Sequence, residues 1–439
     1  MSPTESQQMT ITKLERIAWL SARDRHKRFD NVMHLFTEEN LAECYRSLDG
    51  RKAVGADGVT KKMYGEDLEG NLKGLVERMR QMAYRPGAVR EVLIPKPGQA
   101  GRTRPLGISN LEDKVVQGMT HKVLEAVYEP LFLDCSYGFR PGRSAHDAVR
   151  DLHRHLYSHR VSTVIDVDLA RYFDSIDQRL LLEMIGKKVA DRRFLRYLRR
   201  QFKAGMLRDG ELFVRDDGVV QGSLCSPILA NIFAHVVIDE WFEDTVKKHC
   251  RREVVLFRYA DDLVICCEHE HDADRVLKAL RKRLERFGLR LNNEKTRMVS
   301  FARPLAGRNG GTSFDFLGFT FYWGRSLSGH SVPKVKTSGK RLRASLARVR
   351  AWASTVRNRQ GLLPIWRTFC AKVRGHLRYY GVSFNHRALN MFITEATRIM
   401  YKWLNRRSQR RSFNWEKFQR FMDQNPLPRP VVYTSLFDR

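Results

Sequence analysis

Acidic residues are scarce in this chain. Against 79 Lys and Arg stand only 49 Asp and Glu, a formal net charge of +30 over 439 residues. Charge of one sign at that level repels itself, so a polyanionic partner is implied, nucleic acid before an acidic membrane surface. Cysteines are few and odd in number: seven, at 44, 135, 225, 250, 266, 267 and 370, with no pair spaced C-x-x-C. This disfavours a disulfide scaffold and a four-cysteine zinc site, and fits a reducing compartment. Long apolar runs are also missing. The most apolar stretch, Leu224 to Ile238, is interrupted by Pro227, Asn231 and His235, so no bilayer-spanning helix and no membrane partner are expected. The first ten residues lack a basic-then-apolar leader, so no secretory signal is expected. What the chain does have is material for cores: 42% of residues are hydrophobic, and the length suits two or three domains.

Charge is unevenly distributed. Residues 340–439 hold 22 Lys and Arg against four acids, more than half of the net charge. That shift marks a separate C-terminal module, preceded by a turn-rich bridge from Gly307 to Thr312 and from Gly324 to Gly339. Within the module Arg and aromatics interleave, and Ala347–Trp352, Ile365–Tyr380 and Ala388–Trp403 keep helical spacing. Such basic helices suit phosphate contacts, and their aromatics suit either stacking on bases or a core. Upstream, Thr37 reads as the cap of a helix over Leu41–Leu48, and Asp113–Tyr128 is amphipathic. Leu180–Phe202 and Asp272–Phe287 read as helices, and Val89–Ile94 and Phe314–Trp323 as strands.

The sharpest chemistry lies between residues 161 and 267. Val161, Thr163, Ile165, Val167 and Leu169 alternate along a strand, with Asp166 and Asp168 on its other face. Val254–Phe257 and Leu263–Cys267 are apolar strands flanking Tyr259-Ala260-Asp261-Asp262, the pattern of a hairpin. An Asp-Asp pair alone fits an ordinary turn. At the tip of an apolar hairpin, however, two carboxylates resist joint ionisation unless a cation sits with them. If Asp168 joins them from a neighbouring strand, three carboxylates form an oxygen-rich site suited to Mg²⁺, and a two-ion phosphoryl transfer becomes possible.

Three further segments accompany this pattern. They are Arg171-Tyr-Phe-Asp174 after the first strand, the turn Gln221-Gly-Ser-Leu-Cys-Ser-Pro-Ile-Leu-Ala-Asn231, and Leu289-Arg-Leu-Asn-Asn-Glu-Lys-Thr296. In this order the segments resemble those of reverse transcriptases. Val92-Leu-Ile-Pro-Lys-Pro-Gly98, Arg104-Pro-Leu-Gly-Ile-Ser109, Ser136-Tyr-Gly-Phe-Arg-Pro-Gly-Arg143, Phe314-Asp-Phe-Leu-Gly-Phe319 and Gly375-His-Leu-Arg-Tyr-Tyr-Gly381 narrow the resemblance. They are similar to bacterial group II intron-encoded reverse transcriptase/maturases, from about residue 40 onward. The paired Cys and His of the C-terminal endonuclease found in many of those proteins have no counterpart after Phe413, so self-encoded DNA cleavage is not expected.

The resemblance implies an α+β right-hand polymerase. Fingers and an N-terminal extension would occupy residues 1–160, a split βαβ palm 161–325, and a basic α-helical thumb/maturase module 326–439. It implies that Asp168, Asp261 and Asp262 hold two Mg²⁺ ions. It also implies that Phe173, five residues after Asp168, excludes a ribose 2′-OH. Gln221 would contact the incoming dNTP, Lys96 and Arg104 its triphosphate, and Lys295 the palm site. Plainer readings stand beside these: Phe173 as core, Gln221 as a helix cap, Lys96 and Arg104 as solvated loop charges. Asp174 and Asp177 read as turn and cap residues. The expected partners are an RNA template with a DNA primer, dNTP, target DNA, and intron RNA held as a ribonucleoprotein through Arg374, Arg378, Arg406 and Arg407. The bacterial cytoplasm is the expected compartment. RNA-directed DNA synthesis, splicing assistance without synthesis, and a host-recruited role in repair or defence are all compatible with these motifs.

Overall fold

Short polar side chains set where most helices begin. In the computed structural model, which describes residues 3–95, 103–208, 211–214, 217–305, 311–407 and 413–437, α1 covers Pro3–Arg23. Thr37 accepts the Asn40 N–H to open α2 (Glu38–Ser47). Thr60 and Asp67 do the same for α3 (Lys61–Gly65) and α4 (Leu68–Arg80). Each cap satisfies a donor that the helix itself leaves orphaned, a contribution of about 1 kcal/mol. Strands β1 (Val89–Pro95) and β2 (Thr103–Ile108) pair antiparallel ahead of α5 (Leu111–Tyr128), against which α1 and α2 pack.

A full capping box, Ser144 with Asp147, starts α6 (Ala145–Ser158). Then come β3 (Thr163–Asp168), α7 (Gln178–Gly186) and α8 (Arg192–Phe202). The single helix expected over Leu180–Phe202 is thus two. Asp191 breaks it by capping α8 and by accepting the N–H groups of Val32 and Met33 as well, while Phe29 bridges to Val189. Strands β4 (Met206–Arg208) and β5 (Glu211–Phe213) complete a four-stranded sheet of order β2-β1-β4-β5. Helix α9 (Ser226–Ala234) runs on through two wider π turns into α10 (Lys247–His249).

The central sheet follows. Strands β6 (Val254–Tyr259) and β7 (Asp262–Cys267) form the hairpin, α11 (Glu270–Arg286) crosses over, and β8 (Arg297–Ser300) returns. The order is β6-β7-β3-β8, all antiparallel, with β3 between β7 and β8. Both faces are covered. Ile165, Val167, Leu263 and Ile265 look into one core with α9 and α11, while Val164, Phe257, Val264 and Cys266 look into another with α6. That is why these strands read as near-continuous apolar runs.

The second core continues into the C-terminal part. Phe314–Trp323, expected as one strand, is a hairpin of β9 (Ser313–Phe316) and β10 (Phe319–Arg325). It turns at Leu317-Gly318, where φ is +50° and +83°. Two left-handed residues make a turn whose twist matches the strands. The turn-rich bridge expected before the basic module contains strand β11 (Ser331–Thr337), paired along its length with β10. Phe314 and Phe321 stack with ring centroids 5.1 Å apart, and Phe301 meets Phe314 edge-on at 5.0 Å. Helices α12 (Gly339–Val356), α13 (Leu362–Tyr380), α14 (His386–Leu404) and α15 (Trp415–Gln424) complete the described chain. Trp366 is buried against Phe418 and Phe421, whereas Trp352 and Trp403 are half-buried under Lys372 and under Arg357 and Arg406. Among the described residues no helix is long and apolar enough to cross a membrane.

Candidate active site

The register of β3 against β7 sets Asp168 directly opposite Asp262. The β6–β7 connection is a two-residue turn, Ala260-Asp261, because Tyr259 pairs with Asp262. Asp168, Asp261 and Asp262 are therefore gathered at one end of the sheet. Ala260 carries φ +57°, a left-handed conformation that costs a non-glycine residue roughly 1–2 kcal/mol. Surrounding contacts hold it there. Gly138 lies so close that a Cβ on it would stand 2.6 Å from the Ala260 nitrogen.

Crowding shapes the electrostatics. Burial, followed by the charges of Asp261, Asp168 and Asp166, pushes the Asp262 carboxyl up to about 7, although its outer edge meets solvent. Burial also raises Asp261, and Asp168 adds to that rise. Asp168 is held on both oxygens: Asn292 Nδ2 donates to Oδ1 at 3.1 Å, and Lys295 Nζ lies 2.7 Å from Oδ2. Asp166 turns to Arg297 at 3.2 Å, and burial lifts its carboxyl to about 6. The donor set at 168, 261 and 262 is all carboxylate oxygen, and burial opposes ionisation of Asp261 and Asp262. Both features fit a hard divalent cation. The three carboxylates do not draw within 4.8 Å of one another; among the described residues the one group that does is His155, His159 and Glu253.

The other expected residues are distributed around this end of the sheet and beyond it. Phe173 is half-buried in a short 3₁₀ turn after β3, its carbonyl accepting from Val219 at 2.9 Å. The Gln221 carbonyl accepts the Gly107 N–H at 2.6 Å, tying the Gly-Ser turn to β2. An open groove of about 490 Å³ runs past Gln221, Gly107, Pro105, Asp174 and Met206. Arg104 is exposed on β2, opposite Ile94. Lys96 lies outside the described residues. Asp177 caps α7, as expected. Arg374 and Arg378 are exposed on α13; Arg406 lies over the Trp403 ring at 5.3 Å, and Arg407 donates to the Gln360 carbonyl at 2.9 Å.

Sequence reasoning missed the support beneath the hairpin. Arg258 is fully buried. Its guanidinium donates to Asp239 Oδ1 at 2.7 Å and Oδ2 at 2.5 Å, to Asn231 Oδ1 at 3.1 Å, to Ser136 Oγ at 2.7 Å and to the Ala260 carbonyl at 3.3 Å. The Arg258 backbone bridges to Cys135 and Tyr137, and Asn231 Nδ2 donates to the Gly138 carbonyl at 2.7 Å. One cation thus ties the tip to three separate segments. The available signal was an Arg directly after the apolar run Val254–Phe257 and an Asp directly after Val236–Ile238; each needed the other to be interpretable.

The region that contains these residues is similar in sequence to known proteins. Residues 94–321 match the family model described as reverse transcriptase (RNA-dependent DNA polymerase). Protein YkfC of Escherichia coli (strain K12) is 33% identical over 325 residues, covering 66% of this chain and 85% of YkfC. The group II intron-encoded protein LtrA of Lactococcus lactis subsp. cremoris is 30% identical over 227 residues, 52% of this chain and 37% of LtrA. A 91 kDa protein in the cob intron of Schizosaccharomyces pombe is 39% identical over 238 residues, 50% of this chain and 28% of that protein.

Proposed function

The chain belongs to the reverse transcriptase family, in its group II intron-encoded branch, with the right-hand polymerase fold of that family, and from that footing we propose that it copies intron RNA into DNA and binds that RNA as a maturase. Residues 1–160 would serve as extension and fingers, 161–325 as palm and 326–439 as thumb and RNA-binding module. The observation that carries the reading is the β3–β7 register, with Asp168 opposite Asp262 and Asp261 at the adjoining tip.

Asp168, Asp261 and Asp262 would hold two Mg²⁺ ions, which supply charge stabilisation for attack of a primer 3′-OH on a dNTP α-phosphate and loss of pyrophosphate. The chain's own residues do the positioning. Lys295 and Asn292 fix the Asp168 carboxylate from two sides. Phe173 would close off the space for a ribose 2′-OH, selecting dNTP. Gln221 would meet the incoming nucleotide, and Lys96 and Arg104 its triphosphate. Arg374, Arg378, Arg406 and Arg407 would bind RNA phosphates, and target DNA would supply the primer. The bacterial cytoplasm, where free thiols persist, is the proposed compartment; all seven cysteines are unpaired.

The test is primer extension on an RNA template with Mg²⁺. Asp261→Ala should lower the rate on the order of a thousandfold, several kcal/mol at 1.36 kcal/mol per decade. Retained activity would defeat the assignment. Intron splicing assistance should survive that substitution and fail when the four arginines are neutralised.

A further inference from the structure

We propose that His155, His159 and Glu253 form a second metal site, for a transition-metal dication and by its donor set Zn²⁺, separate from the polymerase carboxylates. One ligand atom from each of the three lies within 4.8 Å of the other two. A tetrahedral Zn²⁺ with bonds of about 2.0–2.1 Å needs its donors about 3.4 Å apart, so the His159 and Glu253 side chains, both exposed, must draw in on binding.

The fold builds this cluster from two elements. His155 is in the last turn of α6 and His159 is its C-cap, four residues on. Their rings stack with centroids 4.5 Å apart and planes 20° from parallel. The Ser158 hydroxyl lies 2.9 Å from His159 Nδ1, leaving Nε2 as the ligand atom; metal-bound imidazoles are commonly oriented this way through their other nitrogen. Glu253 immediately precedes β6. It shares strand parity with Phe257, which faces α6 and meets the His155 ring at 5.8 Å.

A second observation also points to a cation. Glu268 N–H donates to the Glu253 carbonyl at 3.0 Å, one step beyond the Val254–Cys267 pair. Two glutamates therefore sit side by side just beyond the paired ends of β6 and β7, with the parity of the residues that face α6. Like charges so placed repel, and a dication beside them removes the penalty. Arg251 and Arg252 precede Glu253, so long-range attraction for a hard cation is weak here. Affinity must come from imidazole nitrogen, which selects Zn²⁺ over Mg²⁺. The site sits at the start of β6 and the catalytic aspartates at its far end, about 20 Å away at 3.3 Å per residue. Its effect is to fasten the end of α6 to the entry of the hairpin strand.

Metal-stripped full-length protein, titrated with Zn²⁺ by calorimetry and with Co²⁺ by visible absorption in excess Mg²⁺, tests this. Wild type should take up one equivalent and melt at a higher temperature. His159→Ala and Glu253→Gln alter exposed side chains, so their metal-free melting and Mg²⁺-dependent primer extension should stay unchanged. Their Zn²⁺ affinity should fall by more than the roughly tenfold that loss of an outer-shell partner alone costs, since a ligand itself is removed. Asp261→Asn should keep the Co²⁺ spectrum. Absence of saturable binding, binding that survives both ligand substitutions, or a Co²⁺ spectrum lost with Asp261→Asn would each overturn the proposal.

Discussion

Removing the Asp239 carboxylate should damage the enzyme twice, and the two effects can be separated. Arg258 and Asp239 are both fully buried, and two of the guanidinium hydrogen bonds go to that carboxylate. Asp239→Ala strands a buried cation, which costs about 3–5 kcal/mol. Set against a typical domain stability of about 5–15 kcal/mol, that loss is large. The remaining bonds, to Asn231, Ser136 and the Ala260 carbonyl, cannot compensate an unpaired charge. The double variant Asp239→Leu with Arg258→Met replaces the pair by apolar groups and should recover most of the stability, since such swaps are often neutral or better. It should not recover activity, because nothing then holds the Ala260 carbonyl and the left-handed turn is free to relax. Urea unfolding and primer extension on the same preparations give both readouts. A double variant that is stable and polymerises at the wild-type rate would refute the positioning role of Arg258.

Other outcomes follow from the same geometry. Gly138→Ala puts a methyl 2.6 Å from the Ala260 nitrogen; overpacking of about 1–3 kcal/mol is expected, with a fall in kcat larger than any change in KM for dNTP, measured by steady-state extension. The Asp262 carboxyl, raised to about 7 by burial and neighbouring acids, binds its proton more tightly folded than unfolded. Its contribution is therefore fully present below the ordinary carboxylate pKa and is lost as pH rises toward 7. In chelator, wild type should lose melting temperature between about pH 4 and pH 7 more steeply than Asp262→Asn does, the interval from the ordinary carboxylate pKa to the raised one, and Mg²⁺ should restore more at the alkaline end. Neutralising Arg374, Arg378, Arg406 and Arg407 together should reduce the salt dependence of RNA binding by a slope of roughly 3, at about 0.7 per phosphate contact; an unchanged slope would remove them from the interface.

Strands β3, β6 and β7 of the central sheet were legible because they are buried on both faces, which leaves runs of apolar residues that admit few other readings; β8, mostly exposed, was not anticipated. The hairpin followed from those runs and the Asp-Asp between them. The split of Phe314–Trp323 was hidden for the opposite reason. Both halves are aromatic and buried, and Leu317 takes the first left-handed position of the turn, where glycine or asparagine is the usual signal. Strand β11 was masked by Pro333 and by the Gly and Ser residues that flank it; the proline is tolerated because the strand pairs on one side only, as an edge. The break at Asp191 depends on Val32 and Met33, more than 150 residues away, and no local pattern carries that.

The candidate site divides along the same line. Asp168, Asp261 and Asp262 announce themselves because charge in an apolar strand has few explanations. Arg258 and Asp239 carry the same kind of signal, yet each was absorbed into the segment around it, one into the hairpin and one into a helix. A buried charge is interpretable only with its counter-ion, and theirs meet across 19 residues and two elements. The physical consequence is that the hairpin's conformation is not stored in the hairpin. Ala260 holds an unfavourable φ because Arg258 grips its carbonyl and Gly138 leaves it room, and Asn231 ties Gly138 in turn. Substituting a residue in the Ser136–Arg143 segment, far from the aspartates in sequence, should therefore act on catalysis before it acts on RNA binding.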